Sequence, residues 1–368
     1  MIKTELLNKC KEIGITKCSS KNKLELIELI KSKNNLTNIN EIIQNKSDTL
    51  NVIDLFCGCG GMSKGLTDAG LNIIAGIDIW DKAVENYNKN FQHKAYCEDL
   101  TKLSPEKFNE LYNKENIAID ILVGGPPCVT FSNAGKRDKN DPRNTLFMEY
   151  VKYLNYFKPK AFIMENVIGI LSKKTVDGEN VINIIMEQLN QEYNCIINKL
   201  YASDFEVPQN RRRVIIIGIR KDLNIIPEEP KPVISSVKDR IAVKNILLAK
   251  EEIELSNFLS EKAIQGIINK QKKSKERGFG FGAQFLDLEK PSYTIPARYW
   301  KDGYDALVKY NENEIRRLTI IELKRIQSFP DNYILDGSKK DIIMQIGNAV
   351  ACKFAYHLGK YIINSLQK

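Results

Sequence analysis

From Asn51 onward, short apolar runs rich in β-branched residues alternate with amphipathic segments, and this alternation limits the fold more than any other feature. Strand-like runs cover 52–56, 73–79, 95–96, 117–123, 161–164, 195–201 and 214–219. Helical spacing of apolar residues falls between most of them, near 62–69, 81–90, 105–115, 144–157 and 180–192. Strands that are apolar nearly throughout have both faces buried. The pattern therefore predicts an α/β chain whose parallel sheet is covered by helices on both sides. A length of 368 residues with 43% apolar content is enough for two globular domains.

In such open sheets ligands bind at the carboxyl ends of the strands. The first strand runs into Asp54-Leu-Phe56-Cys-Gly58-Cys-Gly60-Gly61-Met-Ser63, a glycine-rich turn that lets a ligand approach the backbone. Asp78 follows about 20 residues after Gly58, the spacing of a ribose-diol contact, and Asp99 closes the next short strand. A tight packing turn would need the same glycines. Together the three strand ends point to an adenosine-containing cofactor. The pyrophosphate fingerprint is incomplete, because Ser63 replaces its third glycine. S-adenosylmethionine, which has no phosphates, asks less of the helix N-terminus.

The fourth run, 117–123, leads into Gly124-Gly125-Pro126-Pro127-Cys128. Two glycines and two prolines end a strand, forbid a helix and force a rigid turn with Cys128 at its tip. A lone cysteine is more often a small buried hydrophobe. A core residue, however, needs no such backbone. The chain has two histidines, His93 and His357, neither in a suggestive setting, which argues against a Cys–His hydrolase. A thiolate without histidine needs another source of stabilisation, such as a helix N-terminus or a bound cation, and a sulfonium would supply the cation.

Eight cysteines without CxxC pairs suggest reduced cytoplasmic thiols rather than a disulfide framework or a zinc site. No run approaches a membrane span, and the start of the chain is not a signal peptide. A net charge of +9 permits a polyanionic partner. Residues 1–34 carry two amphipathic helical patterns, with Ile2, Leu6, Leu7, Cys10 and Ile13 on the first and Leu24, Ile27 and Ile30 on the second. This pair reads equally as a SAP-like DNA-binding motif or as a helical hairpin packing on the main domain. A polar, Asn-rich linker follows over 35–48.

Beyond 221 the alternation stops. Pro227, Pro230 and Pro232 mark a boundary, after which 237–248 and 256–268 show helical spacing. The run 270–277 holds five positive residues beside Gly278-Phe-Gly-Phe-Gly282. It is either a solvated helix end or a segment that contacts nucleic-acid backbone. Arg298, Tyr299 and Trp300 offer groove-reading or packing groups, and 342–365 reads as one apolar helix returning to the first domain.

Six motifs then occur in a familiar order: Asp54 to Gly61, Gly124 to Cys128, Met164-Glu165-Asn166-Val167, Val207-Pro-Gln-Asn-Arg211-Arg-Arg213, Arg317-Leu-Thr319 with Gln327-Ser-Phe-Pro-Asp331, and Gln345-Ile-Gly-Asn348-Ala-Val350. From Asn51 to the C-terminus the chain resembles the DNA (cytosine-5)-methyltransferases of bacterial and phage restriction-modification systems. The resemblance implies a Rossmann-like S-adenosylmethionine-dependent sheet in a catalytic domain at 49–226. It also implies a target-recognition domain at 227–341 and a returning helix at 342–368. The SAP-like extension and linker at 1–48 lie outside this resemblance.

By position, the resemblance makes Cys128 the nucleophile, Glu165 its acidic partner, and Arg211 and Arg213 the groups that hold that carboxylate and the target base. It assigns S-adenosylmethionine to Phe56, Gly58, Gly60, Gly61, Asp78, Ile79, Asp99, Leu100, Pro127, Asn348 and Val350. Ser132 and Arg143 fall in a loop that closes over DNA. Lys272, Lys273, Lys275, Arg298 and Tyr299 are the further expected DNA contacts. One departure is Val129, where the family has Gln. The implied partner is double-stranded DNA, with a cognate restriction endonuclease acting on the same site without a stable complex, and the enzyme is expected to be a cytoplasmic monomer.

Three rivals differ in what they explain. A nicotinamide oxidoreductase would share the sheet but leave Cys128 and the arginines without a role. A tRNA cytosine-5 methyltransferase would share the motifs and differ in substrate. A DNA-binding protein without catalysis would have no use for Cys128 and Glu165.

Overall fold

The computed structural model describes residues 10, 15, 25–26, 49–127, 146–175, 178–276, 283–301 and 303–367, with the backbone alone over 270–275. The chain divides into two compact units, Met1–Thr49 and Leu50–Lys368. In the first, Cys10 and Leu26 are helical and fully buried.

The second unit is built on a seven-stranded sheet: β1 (Asn51–Leu55), β2 (Asn72–Asp78), β3 (Lys94–Cys97), β4 (Ile121–Gly124), β5 (Ala161–Val167), β6 (Tyr193–Tyr201) and β7 (Arg212–Arg220). Their order is β3-β2-β1-β4-β5-β7-β6. The first five strands pair in parallel. β7 runs antiparallel to both neighbours, which corrects the expectation of a wholly parallel sheet. The fourth strand starts at Ile121, so the apolar residues at 117–119 precede it.

Alternation along each strand sorts the core into two layers. Ile53, Leu55, Leu122, Phe162, Met164, Val214 and Ile216 face one side. There they meet Phe108 of α3 (Pro105–Tyr112), Tyr150 and Leu154 of α4 (Leu146–Phe157) and Ile185 of α5 (Val181–Leu189). Val52, Val123, Ile163, Ile215 and Ile217 face the other, against Met62 and Leu66 of α1 (Gly61–Asp68) and Phe354 and Leu358 of the C-terminal helix (Cys352–Leu366). Burying large aliphatic side chains on both faces contributes roughly 1.5–3 kcal/mol for each, which makes this sheet the stable frame of the molecule. In a separate small cluster, α2 (Asp81–Asn90) packs Val84 and Tyr87 against Cys57 and Ala95.

The smaller region has its own cores around a two-stranded antiparallel pair, β8 (Leu307–Asn311) and β9 (Glu314–Arg317), preceded by α6 (Glu261–Glu276). The expected helix at 237–248 is replaced by short 3-10 turns, Val243–Ile246 among them. Its backbone amides are used elsewhere: Val243 N donates to Lys290 O and Lys244 N to Leu288 O. After α7 (Ile320–Ile326), the returning segment is two helices rather than one, α8 (Lys339–Asn348) and α9 (Cys352–Leu366). Ala349 leaves the helix with φ −61° and ψ 147°.

Candidate active site

At the end of β1, Phe56 takes φ 60°, followed by Gly58 at 54° and Gly60 at 92°. Asp78, the last residue of β2, latches this turn: its carboxylate accepts from Gly58 N and Trp80 N, each at 2.8 Å. Burial raises its pKa, opposed by those amide bonds. A Cβ at Gly58 would meet nothing within 4 Å, so that side of the turn is open. A Cβ at Gly60 would collide with Phe91, Tyr333 and Tyr87. At Gly61 it would lie 2.2 Å from Val350 O. The helix break at 349–351 therefore exists to seat Val350 against the glycine turn, and only glycine permits that approach.

Beneath the turn, Ser63 Oγ donates to Asp54 Oδ2 at 2.6 Å, Tyr87 OH donates to Ser63 Oγ at 2.8 Å, and Tyr87 OH lies 2.9 Å from His93 Nε2. Burial lifts the Asp54 carboxyl to about 7. Asp99 turns its carboxylate to Thr101 N and Oγ1 and to Lys102, and the Thr101 bond lowers it. Leu100 is buried in the first core layer, Phe56 packs against that layer, and Ile79 and Asn348 are exposed.

The second half of the site sits at the same edge. Glu165 lies near the end of β5, and the antiparallel β7 brings Arg213 opposite Val167 on the same face. Arg213 Nε is 2.7 Å from Glu165 Oε1, with both side chains 12% exposed. Its N–H is not aimed along that contact, so charge rather than a hydrogen bond holds the pair. Arg211 is buried, donates from Nη1 to Gly347 O at 3.1 Å, and keeps a buried Nε–H without an acceptor. Burial and the charge of Arg213 bring Arg211 down to about 9, so it stays protonated at neutral pH. Two cations around one carboxylate leave an excess positive charge and unused donors. The site is thus prepared for a polar or anionic group that the protein itself does not provide.

A Cβ at Gly125 would stand 3.3 Å from Glu165 Oε2, so the Gly-Gly-Pro-Pro turn and the carboxylate are neighbours. Asn166 Nδ2 donates to Pro126 O at 3.1 Å and pins that turn to β5. The sequence singled out Asn166 as part of a motif but not as the clasp of the turn. Gln209 and Gln327 were missed in the same way. Gln209 Nε2 donates to Gln327 Oε1, while Gln327 Nε2 donates to Ile346 O and Ala349 O. They stitch the segment before β7 to α8, and a pairing between residues so far apart in the chain leaves no signal in the sequence.

Cys128, Ser132 and Arg143 lie outside the described residues, as do the side chains of Lys272, Lys273 and Lys275. Pro127, the last described residue before Cys128, is exposed. Arg298 is half-exposed and pairs with Asp305 at 2.7 Å. Of the two roles open to Tyr299, the structure shows packing. It is 2% exposed, donates to Ala306 O and accepts from Leu318 N, which corrects the expectation of a DNA contact at this residue.

The residues present fit S-adenosylmethionine. The turn is open at Gly58, carries only an incomplete pyrophosphate fingerprint, and is flanked by Asp78 and by exposed Ile79 and Pro127. Comparison with known proteins agrees with this geometry. The family model for C-5 cytosine-specific DNA methylases matches residues 50–364. The Type II methyltransferase M.DdeI of Desulfomicrobium norvegicum is 31% identical, over 85% of this chain and 88% of that protein. M.FnuDI of Fusobacterium nucleatum is 35% identical, over 86% and 95%. The structure of the Entamoeba histolytica methyltransferase EhMeth superposes with a TM-score of 0.67 at 21% identity, covering 87% of this chain and all of that one, a likeness of fold.

Proposed function

Because the chain belongs to the C-5 cytosine-specific DNA methylase family, we infer that its carboxyl-edge site carries out cytosine-5 methylation with Cys128 as nucleophile and Glu165 as acid. The enzyme is a DNA (cytosine-5-)-methyltransferase that uses S-adenosylmethionine. The observation that supports the residue assignment is the Glu165–Arg213 pair beside the Gly125 turn that leads to Cys128.

Carbon 5 of cytosine is a weak nucleophile. Addition of the Cys128 thiolate to carbon 6 turns the ring into an enamine and moves electron density to carbon 5. Glu165 hydrogen-bonds or protonates ring nitrogen 3 and so drains charge from the ring. Arg213 fixes the carboxylate, and the free donors of Arg211 and Arg213 face the polar edge of the base. After carbon 5 has taken the methyl group, its proton passes to a water base, the carbon 5–carbon 6 double bond re-forms, and the carbon 6–sulfur electron pair leaves with Cys128 as thiolate. Phe56, the glycine turn, Asp78, Asp99 and the Asn348–Val350 break would hold S-adenosylmethionine, which would supply the methyl group. The base cannot be reached inside a duplex, so it is flipped out at a cost of a few kcal/mol.

The enzyme acts as the modification half of a restriction-modification system, in the cytoplasm and as a monomer, with any cognate endonuclease meeting it on the shared DNA site. No helix among the described residues is long and apolar enough to cross a membrane. Residues 227–341 recognise the target, with Lys272, Lys273 and Lys275 on the DNA backbone. Unit 1–49 is an auxiliary duplex-binding arm. Bisulfite sequencing of DNA from cells expressing the chain tests the whole reading. Methylated cytosine at one short recurrent sequence is expected, and methylation of tRNA with unmodified DNA would overturn it. Deleting residues 1–46 is expected to leave that sequence unchanged while weakening DNA binding and flattening its salt dependence.

A further inference from the structure

The carboxyl edge carries another cation that this chemistry does not use. Arg212 and Tyr201 are register partners at the ends of β7 and β6, so their side chains leave the same face of the sheet, opposite to Arg213. The guanidinium carbon of Arg212 is 5.3 Å from the Tyr201 ring centroid, and that of Arg240 is 5.6 Å from it. Arg240 is already committed: Nε and Nη2 lie 2.8 Å and 2.7 Å from Asp204 Oδ1, and Nη1 donates to Asn210 Oδ1. Arg212 is exposed, and among the described residues no carboxylate pairs with it.

Two guanidiniums therefore gather on one half-exposed ring with a single carboxylate, Asp204, which pairs with Arg240 alone. Like charges held together repel, and an anion binding there would relieve the repulsion. Stacking on the ring also holds the planar fork of Arg212 in place, so less side-chain freedom is lost when it binds. A planar, exposed and preset fork matches two oxygens of a phosphodiester.

We propose that Arg212, seated on Tyr201, grips a backbone phosphate of the DNA whose cytosine enters the Glu165 site. This rests on the DNA reading above. The contact positions the strand and carries no sequence information.

The test compares the full chain with Arg212→Ala and Arg212→Lys in binding a random-sequence duplex over a salt series. Methyl transfer to the same DNA is followed in parallel. Arg212→Ala is expected to weaken binding about 3- to 10-fold at moderate salt and to reduce the slope of log affinity against log salt by about 0.9. KM for DNA should rise by a similar factor. Arg212→Lys should keep the slope, because the charge remains, while binding less tightly because the fork is lost. A wild-type slope and affinity in Arg212→Ala would overturn the proposal. Methyl transfer by the wild type reports separately on the DNA substrate, so either idea can fail without the other.

Discussion

The parallel part of the sheet and its antiparallel edge contribute to one site in different ways. In the parallel part each proposed site position ends or follows a strand: Phe56–Gly61 after β1, Asp78 ending β2, Asp99 after β3, and Gly125–Pro127 after β4. Their work is done mostly by backbone shape. Positive-φ residues and carboxylates that accept amides build an open turn. On β7 the order is reversed, with Arg211 just before the strand and Arg212 and Arg213 at its start. A strand that runs backwards brings its first residues to the edge where its neighbours end. Charge can thus be delivered from one stretch of three arginines. Glu165 on β5 is the joint between the two parts.

The comparison is broken most severely at the proposed nucleophile. Cys128→Ser is expected to abolish methyl transfer in a radiolabel assay while DNA and cofactor still bind. Residual turnover close to wild type would remove Cys128 from the mechanism. Next in size, Glu165→Gln should lower the single-turnover rate about 100- to 10,000-fold, since it can no longer give a proton. The arginine edge is tested by adding Arg213→Ala. If Arg213 acts through Glu165, the double variant should lose much less than the product of the two single losses. Strictly multiplicative losses would separate the pair.

The backbone side is sharpened by two glycines. Gly61→Ala forces a Cβ into Val350 O and should cost about 1–3 kcal/mol of stability. Gly58→Ala enters open space at φ 54° and should cost about 1–2 kcal/mol of strain, with a disproportionate loss of S-adenosylmethionine affinity in calorimetric titration. Cofactor binding unaffected by Gly58→Ala would mean that nothing approaches that face.

A pH-dependent effect concerns Asp54. Burial raises its folded-state carboxyl from 3.8 to about 7, so the folded protein holds a proton that the unfolded chain has lost. Its stabilising contribution is complete below the unfolded value and disappears as pH rises through about 7. Asp54→Asn should therefore lose less thermal stability than the wild type between about pH 4 and pH 7, by an amount on the order of 1–3 kcal/mol. Parallel stability profiles for the two proteins would show that Asp54 does not titrate there.

Much of this was legible in the amino-acid order. Strand and helix positions in 50–220 follow from periodicity, because a side-chain repeat of 2 or 3.6 states which face will be buried. The glycine turn, Asp78 and Glu165 were legible because their residue types are costly without a purpose. Spacing failed at 237–248, where the apolar repeat suits a helix but amides pair with 288 and 290 instead. It failed at Tyr299 as well, since an aromatic beside charges reads the same whether it faces solvent or is enclosed. What the sequence determined by itself was therefore local: the elements, their buried faces, the ordered motifs and the family they belong to. Tertiary structure alone decided the reversed direction of β7, the break that lays Val350 on Gly61, and the meeting of Arg213 with Glu165. Periodicity specifies that a face is buried and leaves open what covers it, and that choice is made by packing between residues far apart in the chain.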